Sequence, residues 1–122
     1  GQEPIRVSAV ADLAQAGFGY YTFELFRKEG LEAVFRELSA GTALQRGGGD
    51  AYLHALVASG RLDVAVEPGL QIWDIAATSL LVEEAGGRVT DLSGAVDLRA
   101  GNAVLSNGRL HNEVIATIQR LR

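Results

Sequence analysis

Apolar residues recur along this chain with two different periods, and the places where the period changes divide it into short strands and helices. Ile5 to Ser8 and Phe18 to Thr22 are short β-prone runs around a small helical pattern at Asp12 to Ala16, with Gly17 placed to stop it. Two helical pieces separated by Gly30 follow. In the second, Leu31, Val34, Phe35 and Leu38 repeat at i, i+3, i+4 and i+7, which predicts one buried face with Arg36 and Glu37 turned outward. Ala43 to Arg46 can form a strand that delivers Gly47, Gly48 and Gly49, after which Asp50 can cap a helix running to Ser59 and stopped by Gly60.

Leu62, Val64 and Val66 then alternate with Asp63, Ala65 and Glu67, the period-2 signature of a strand, before "PGLQI" turns the chain into a helix starting near Asp74. Glu67 and Asp74 thus lie at opposite ends of one loop. That helix should end at Ala85-Gly86-Gly87, with a brief strand at Arg88 to Asp91 and another at Asn102 to Ser106 after a turn-rich connection. The last helix, starting near Asn107, carries Leu110, Val114, Ile118 and Leu121 on one face. Strands interleaved with helices predict an α/β architecture in which helices flank a sheet. No internal repeat interrupts the pattern, and 122 residues with 48% apolar content suit a single domain, 1–122, with a real core.

Composition narrows the chemistry. No apolar run approaches the length of a membrane span, and "GQEPIRVS" lacks the basic-then-apolar pattern of a secretory signal, so the expected location is cytoplasmic, with no membrane partner. Without cysteine there is no thiolate ligand or nucleophile, and any metal must be held by oxygen or by His54 and His111, which favours magnesium over zinc. The net charge is −4 and the eleven basic residues are scattered, so nucleic acid is not the expected ligand. An anionic substrate would need a metal or local help.

Few residues have the type and placement to carry a reaction. Asp74 has two readings: a helix cap, since aspartate accepts hydrogen bonds from orphan backbone N–H groups, or a carboxylate facing a cleft and holding a hard divalent cation beside a phosphate. Gly47, Gly48 and Gly49 before a helix could offer backbone N–H groups to a ligand or simply make a tight turn. Asp50 would repel a phosphate there, so a hydroxyl or amine is the better partner. Arg46 could pair with a carboxylate or phosphate in the same cleft, or stay solvated. His54, among Leu53, Ala55 and Leu56, reads as a packed, hydrogen-bonded histidine and not a ligand or base, and so does His111. Glu83 and Glu84 lie a helix length from Asp74 and suit a solvated face. No serine nucleophile elbow, complete phosphate-binding loop or pair of catalytic histidines is present.

"WDIAATSLLVEEAGGRVTD" (73–91) resembles the C-terminal signature of the inositol monophosphatase family of magnesium-dependent, lithium-sensitive sugar and alcohol phosphatases: W-D-x-A-A, a spacer, E-A-G-G and T-D. "ALVASGRLDVAVEPGLQ" is similar to the segment preceding it. The resemblance implies the C-terminal domain of the inositol monophosphatase-like fold, with Mg2+ as cofactor and a small phosphate monoester as substrate. It implies that Asp74 ligates the metal and contacts substrate while still free to start its helix, and that Glu67 hydrogen-bonds the substrate. Gly48, Gly49 and Asp50 match the loop that touches the alcohol portion, although Asp50 departs from the small residue of inositol-specific members.

"RGGGDAYLHALVASG" (46–60) is similar to the histidinol-phosphatase branch, which handles an amino alcohol phosphate, and a negative Asp50 beside Glu67 suits a cationic amine better than a neutral polyol. Family members are about twice this length, and their N-terminal half brings a metal-binding glutamate and a D-P-x-D-G-T segment that this sequence lacks. The expectation is therefore a C-terminal half, inactive alone, whose partners are the N-terminal half and a second copy in a dimer, with metal-activated water as nucleophile. The rival expectation is a non-catalytic module of the same fold acting through a protein or RNA partner.

Overall fold

A computed structural model of the protein describes residues 4–49 and 51–122. Five short strands form one mixed sheet: β1 (Gly17–Gly19), β2 (Leu44–Arg46), β3 (Val64–Glu67), β4 (Arg88–Thr90) and β5 (Ala103–Ser106). Their spatial order is β2-β1-β3-β5-β4. β1 pairs in parallel with both β2 and β3, while β5 is antiparallel to β3 and β4. Among the described residues five α-helices cover it: α1 (Phe23–Lys28), α2 (Glu32–Gly41), α3 (Ala51–Ala58), α4 (Ile72–Glu84) and α5 (His111–Leu121).

Two apolar clusters hold the layers together. Leu53, Val57, Ile75 and Val82 of α3 and α4 pack with Ala65 and Leu105 on one face, and Phe26, Val34, Leu38, Val114 and Ile118 pack with Phe18, Val64 and Val66 on the other. Each large side chain so buried stabilises the fold by about 1.5–3 kcal/mol. The alternation read in β3 is real, but it sorts side chains between two cores, not between core and water. All four β3 residues are buried, as is Asp63 just before them. A strand flanked on both faces by helices has no solvent side.

The first β-prone run, Ile5 to Ser8, forms no strand. Its Val7 N–H donates to the Ala85 carbonyl at 3.0 Å. The Ser8 hydroxyl bonds the buried Asp63 carboxylate, and Asn107 Nδ2 donates to the Val10 carbonyl at 2.8 Å. Its partners are a helix end and side chains, so β-propensity finds no ladder to join. The second run is a strand only over β1, because the Thr22 hydroxyl accepts from the Leu25 N–H (3.1 Å) and starts α1. The small helical pattern at Asp12 is a single 3-10 turn, Leu13–Gln15, capped by Asp12.

The helix expected to start near Asp74 begins two residues earlier, with Gln71 as its cap residue. Asp74 is the third helical residue, and its Oδ2 accepts from the Gln71 backbone N–H at 3.1 Å. A carboxylate one turn inside the helix reaches back to an orphan donor, so capping is done from within. Asp50, expected to cap α3, lies outside the described residues. The C-terminal helix is likewise entered through a side chain, since Asn107 Oδ1 accepts from the Leu110 N–H (3.2 Å) before α5 begins. Among the described residues no helix is long and apolar enough to cross a membrane.

Candidate active site

Because β1, β2 and β3 run parallel, their carboxyl ends lie at the same end of the sheet, where ligands of open α/β sheets are usually held. That end gathers Tyr21 after β1, the glycine turn after β2, and Glu67 as the last residue of β3. The loop after Glu67 then delivers the first turn of α4. A cavity of about 150 Å³ opens here, lined by Tyr21, His54, Glu67, Gly69, Leu70 and Asp74. Glu67 and Asp74, paired in the sequence only by a loop, are thus brought to one pocket.

The electrostatics of this pocket are unusual for a core. Glu67 is 4% exposed and His54 1% exposed, yet Glu67 Oε1 and His54 Nε2 have no hydrogen-bond partner. His54 Nε2 stands 3.8 Å from Glu67 Oε2, too long for a hydrogen bond. On its other side the ring is held, with Nδ1 at 2.9 Å from the Thr78 hydroxyl. Leaving a buried polar atom unpaired costs about 1–3 kcal/mol, so two at one cavity point to groups kept free for a ligand or water.

His54 joins these residues at the pocket, a placement that its position among Leu53, Ala55 and Leu56 did not predict. It is packed and hydrogen-bonded as expected, and it also lines the pocket, with Nε2 buried and without a partner. The available signal was its spacing, four residues after Asp50, on the turn of helix that follows the glycines. Thr78, four residues after Asp74 on α4, supplies the contact that orients the ring.

Arg46, Gly48 and Gly49 do not line this pocket. Arg46 ends the exposed edge strand β2 with its guanidinium 5.3 Å over the Tyr52 ring. Gly48 has φ +84°, a left-handed conformation natural to glycine, but its N–H already donates to the Tyr21 carbonyl at 2.7 Å. Gly49 faces Leu53 so closely that any side chain would collide with it. The glycines therefore act at least as a close-packed turn. Glu83 and Glu84 are exposed, as expected.

His111 is structural. Thr90 Oγ1 donates to the Asp91 carbonyl (2.8 Å), so His111 Nε2–H donates to Thr90 Oγ1 at 2.7 Å and Nδ1 accepts from the Ser106 hydroxyl at 2.7 Å. Both ring nitrogens are satisfied in the neutral form. Burial, aided by the nearby charge of Arg88, lowers its pKa to about 4. Asp91 closes the signature's final turn: burial pushes its carboxyl up, but hydrogen bonds from the Ser93 hydroxyl and from backbone N–H groups of the turn outweigh this and hold it below the usual value.

No three acidic or histidine side chains cluster as a metal cage among the described residues. The carboxylate oxygens at the pocket are of the type that a hard cation takes. Asp74 is exposed at the pocket, spends one oxygen on Gln71, and can give a cation one carboxylate ligand.

The helix-flanked mixed sheet matches the fold of solved inositol monophosphatases. An inositol monophosphatase from Zymomonas mobilis matches with a TM-score of 0.87 at 27% identity, over 94% of this chain and 46% of that one. The Thermotoga maritima IMPase matches with a TM-score of 0.83 at 34% identity, over 98% and 46%. The sequence model of the inositol monophosphatase family matches residues 2–122, and the chain belongs to that family. It is 38% identical over 120 residues to the histidinol-phosphatase of Mycobacterium tuberculosis, covering 97% of this chain and 46% of that protein. It is also 38% identical over 116 residues to the Nus factor SuhB of Pseudomonas aeruginosa, covering 93% and 43%. The chain thus spans a little under half the length of the relatives it matches.

Proposed function

We propose that this chain is the C-terminal, substrate- and metal-binding half of a magnesium-dependent phosphomonoesterase that prefers an amino alcohol phosphate such as histidinol phosphate. The observation that carries the proposal is the convergence of Glu67 and Asp74 on one cavity at the carboxyl ends of the parallel strands. Asp74 would hold Mg2+, with the other ligands supplied by the upstream half. The cation, when bound, would polarise the phosphate and lower the pKa of an attacking water. Glu67 would contact the alcohol portion, and Asp50, with Gly48 and Gly49 before it, would add the negative charge that an amine selects. Arg46 would serve substrate binding from the rim.

Helix α4 supports the half-molecule reading. It is apolar on nearly every side, a pattern suited to a helix covered all round, yet Trp73 is 72% exposed and Leu80 57% exposed. We assign this uncovered face to the upstream half, with a second copy as the alternative cover in its absence. The deciding experiment is phosphate release from histidinol phosphate by the polypeptide carrying its upstream half. Release that requires magnesium and is abolished by chelation is expected; no release with any small phosphate ester refutes the proposal.

A second reading, a non-catalytic module acting through a protein or RNA partner, is favoured by the 38% identity to a protein named Nus factor SuhB. Inositol monophosphate is the remaining substrate alternative within the family reading.

A further inference from the structure

We infer that His54 is a specificity-determining residue: its Nε2–H and the Glu67 carboxylate form a fixed donor–acceptor pair that takes an uncharged substrate group carrying both a lone pair and a proton. This rests on the proposed site but goes beyond it, because the family resemblance assigns His54 no role. The tautomer follows from the contacts. Thr78 Oγ1 lies 3.3 and 3.4 Å from the Asp74 and Ile75 carbonyls, long for an O–H···O bond, but 2.9 Å from His54 Nδ1. The hydroxyl proton is best spent on Nδ1. The ring proton then sits on Nε2, facing Glu67 Oε2 at 3.8 Å, where the opposite tautomer would set a lone pair against a carboxylate.

The pair is too far apart to satisfy itself, and both His54 Nε2 and Glu67 Oε1 are buried without partners. A single substrate atom that serves both groups accepts from Nε2–H and donates to the carboxylate. A hydroxyl does both, as does an unprotonated nitrogen that keeps one N–H. A protonated amine can donate to Glu67, but it has no lone pair for His54 and brings its charge against an N–H dipole. Selection of a cation therefore falls to Asp50, and the His54–Glu67 pair reads a neutral position of the same substrate.

Two measurements test this. His54 and His111 are the two histidines of the chain, so nitrogen NMR of the imidazoles, assigned with a His54→Phe variant, reads the tautomer directly. A His54 ring protonated at Nε2 and not at Nδ1 is expected, and protonation at Nδ1 overturns the inference. In the polypeptide carrying the upstream half, kcat/KM is compared for 3-hydroxypropyl phosphate and 3-aminopropyl phosphate, which differ only in the terminal group.

His54→Phe should lower kcat/KM for the hydroxyl ester about tenfold, the worth of one buried hydrogen bond, and change the amino ester by less than about twofold. His54→Gln, whose amide can again offer an N–H, should recover most of the loss. An equal or larger loss on the amino ester overturns the assignment. If the wild-type polypeptide hydrolyses neither ester, the phosphatase reading fails, while the ring tautomer still decides whether His54 is a donor.

Discussion

Replacing Asp74 by asparagine separates the two roles that its position allows. In the fold its Oδ2 accepts from the Gln71 N–H at 3.1 Å, and an asparagine carbonyl at the third helical position can accept the same bond. What is lost is charge: an exposed carboxylate at a helix N-terminus contributes about 0.3–1 kcal/mol through the helix dipole, and the hydrogen bond loses its ionic component. The total is about 1 kcal/mol, or about 3–5 °C in Tm for a chain of this size. The catalytic cost should be much larger, because a metal site losing a carboxylate forfeits several kcal/mol of charge stabilisation, on the order of 100-fold or more in turnover. Thermal unfolding by circular dichroism measures the first effect. Phosphate release against magnesium concentration, in the polypeptide carrying the upstream half, measures the second. A Tm drop above about 10 °C, or full activity at limiting magnesium, would show that Asp74 serves the helix and not a metal.

Three further outcomes are expected. Asp50→Ala should weaken an amino alcohol phosphate by about 1–3 kcal/mol in kcat/KM while leaving neutral polyol phosphates little changed; equal losses on both refute the cationic-substrate reading. The 122-residue chain alone should show no phosphatase turnover near about 1 per second and should self-associate through the exposed α4 face; enzyme-like turnover or a strictly monomeric sedimentation profile at high concentration counts against each claim in turn. Stability should fall as pH drops from about 6.5 to about 4, because the unfolded chain protonates His111 over that window while the native ring, with its pKa lowered to about 4, does not. The loss is about 3 kcal/mol, and denaturant midpoints of wild type and His111→Gln across this range should differ in slope; parallel curves would remove His111 from the account.

Much of this protein was legible in local pattern. The stripe Leu31, Val34, Phe35 and Leu38 placed α2 and its buried face, and the glycines after α3 and α4 marked where those helices stop. The residues from Trp73 to Asp91 carried the family. These features are set by neighbours in sequence: a helical face, a strand's alternation and a turn's glycine each depend on spacing of a few residues, so the chain declares them before it folds.

Other features depend on partners distant in the chain. Nothing local distinguishes Ile5 to Ser8 from a strand; it stays outside the sheet because its partners are the end of α4 and the Asp63 side chain. The alternation in β3 could not say whether Glu67 met water or a second helical layer, because that depends on α3 and α4 covering one face while α1, α2 and α5 cover the other. His54 read as a core histidine for the same reason. Its free nitrogen reaches Glu67 only because α3 packs against α4, where Thr78 holds the ring by its other nitrogen. A residue's type and spacing determine which face it occupies, but what lies opposite that face is decided by the three-dimensional packing of elements that the local pattern does not relate to one another.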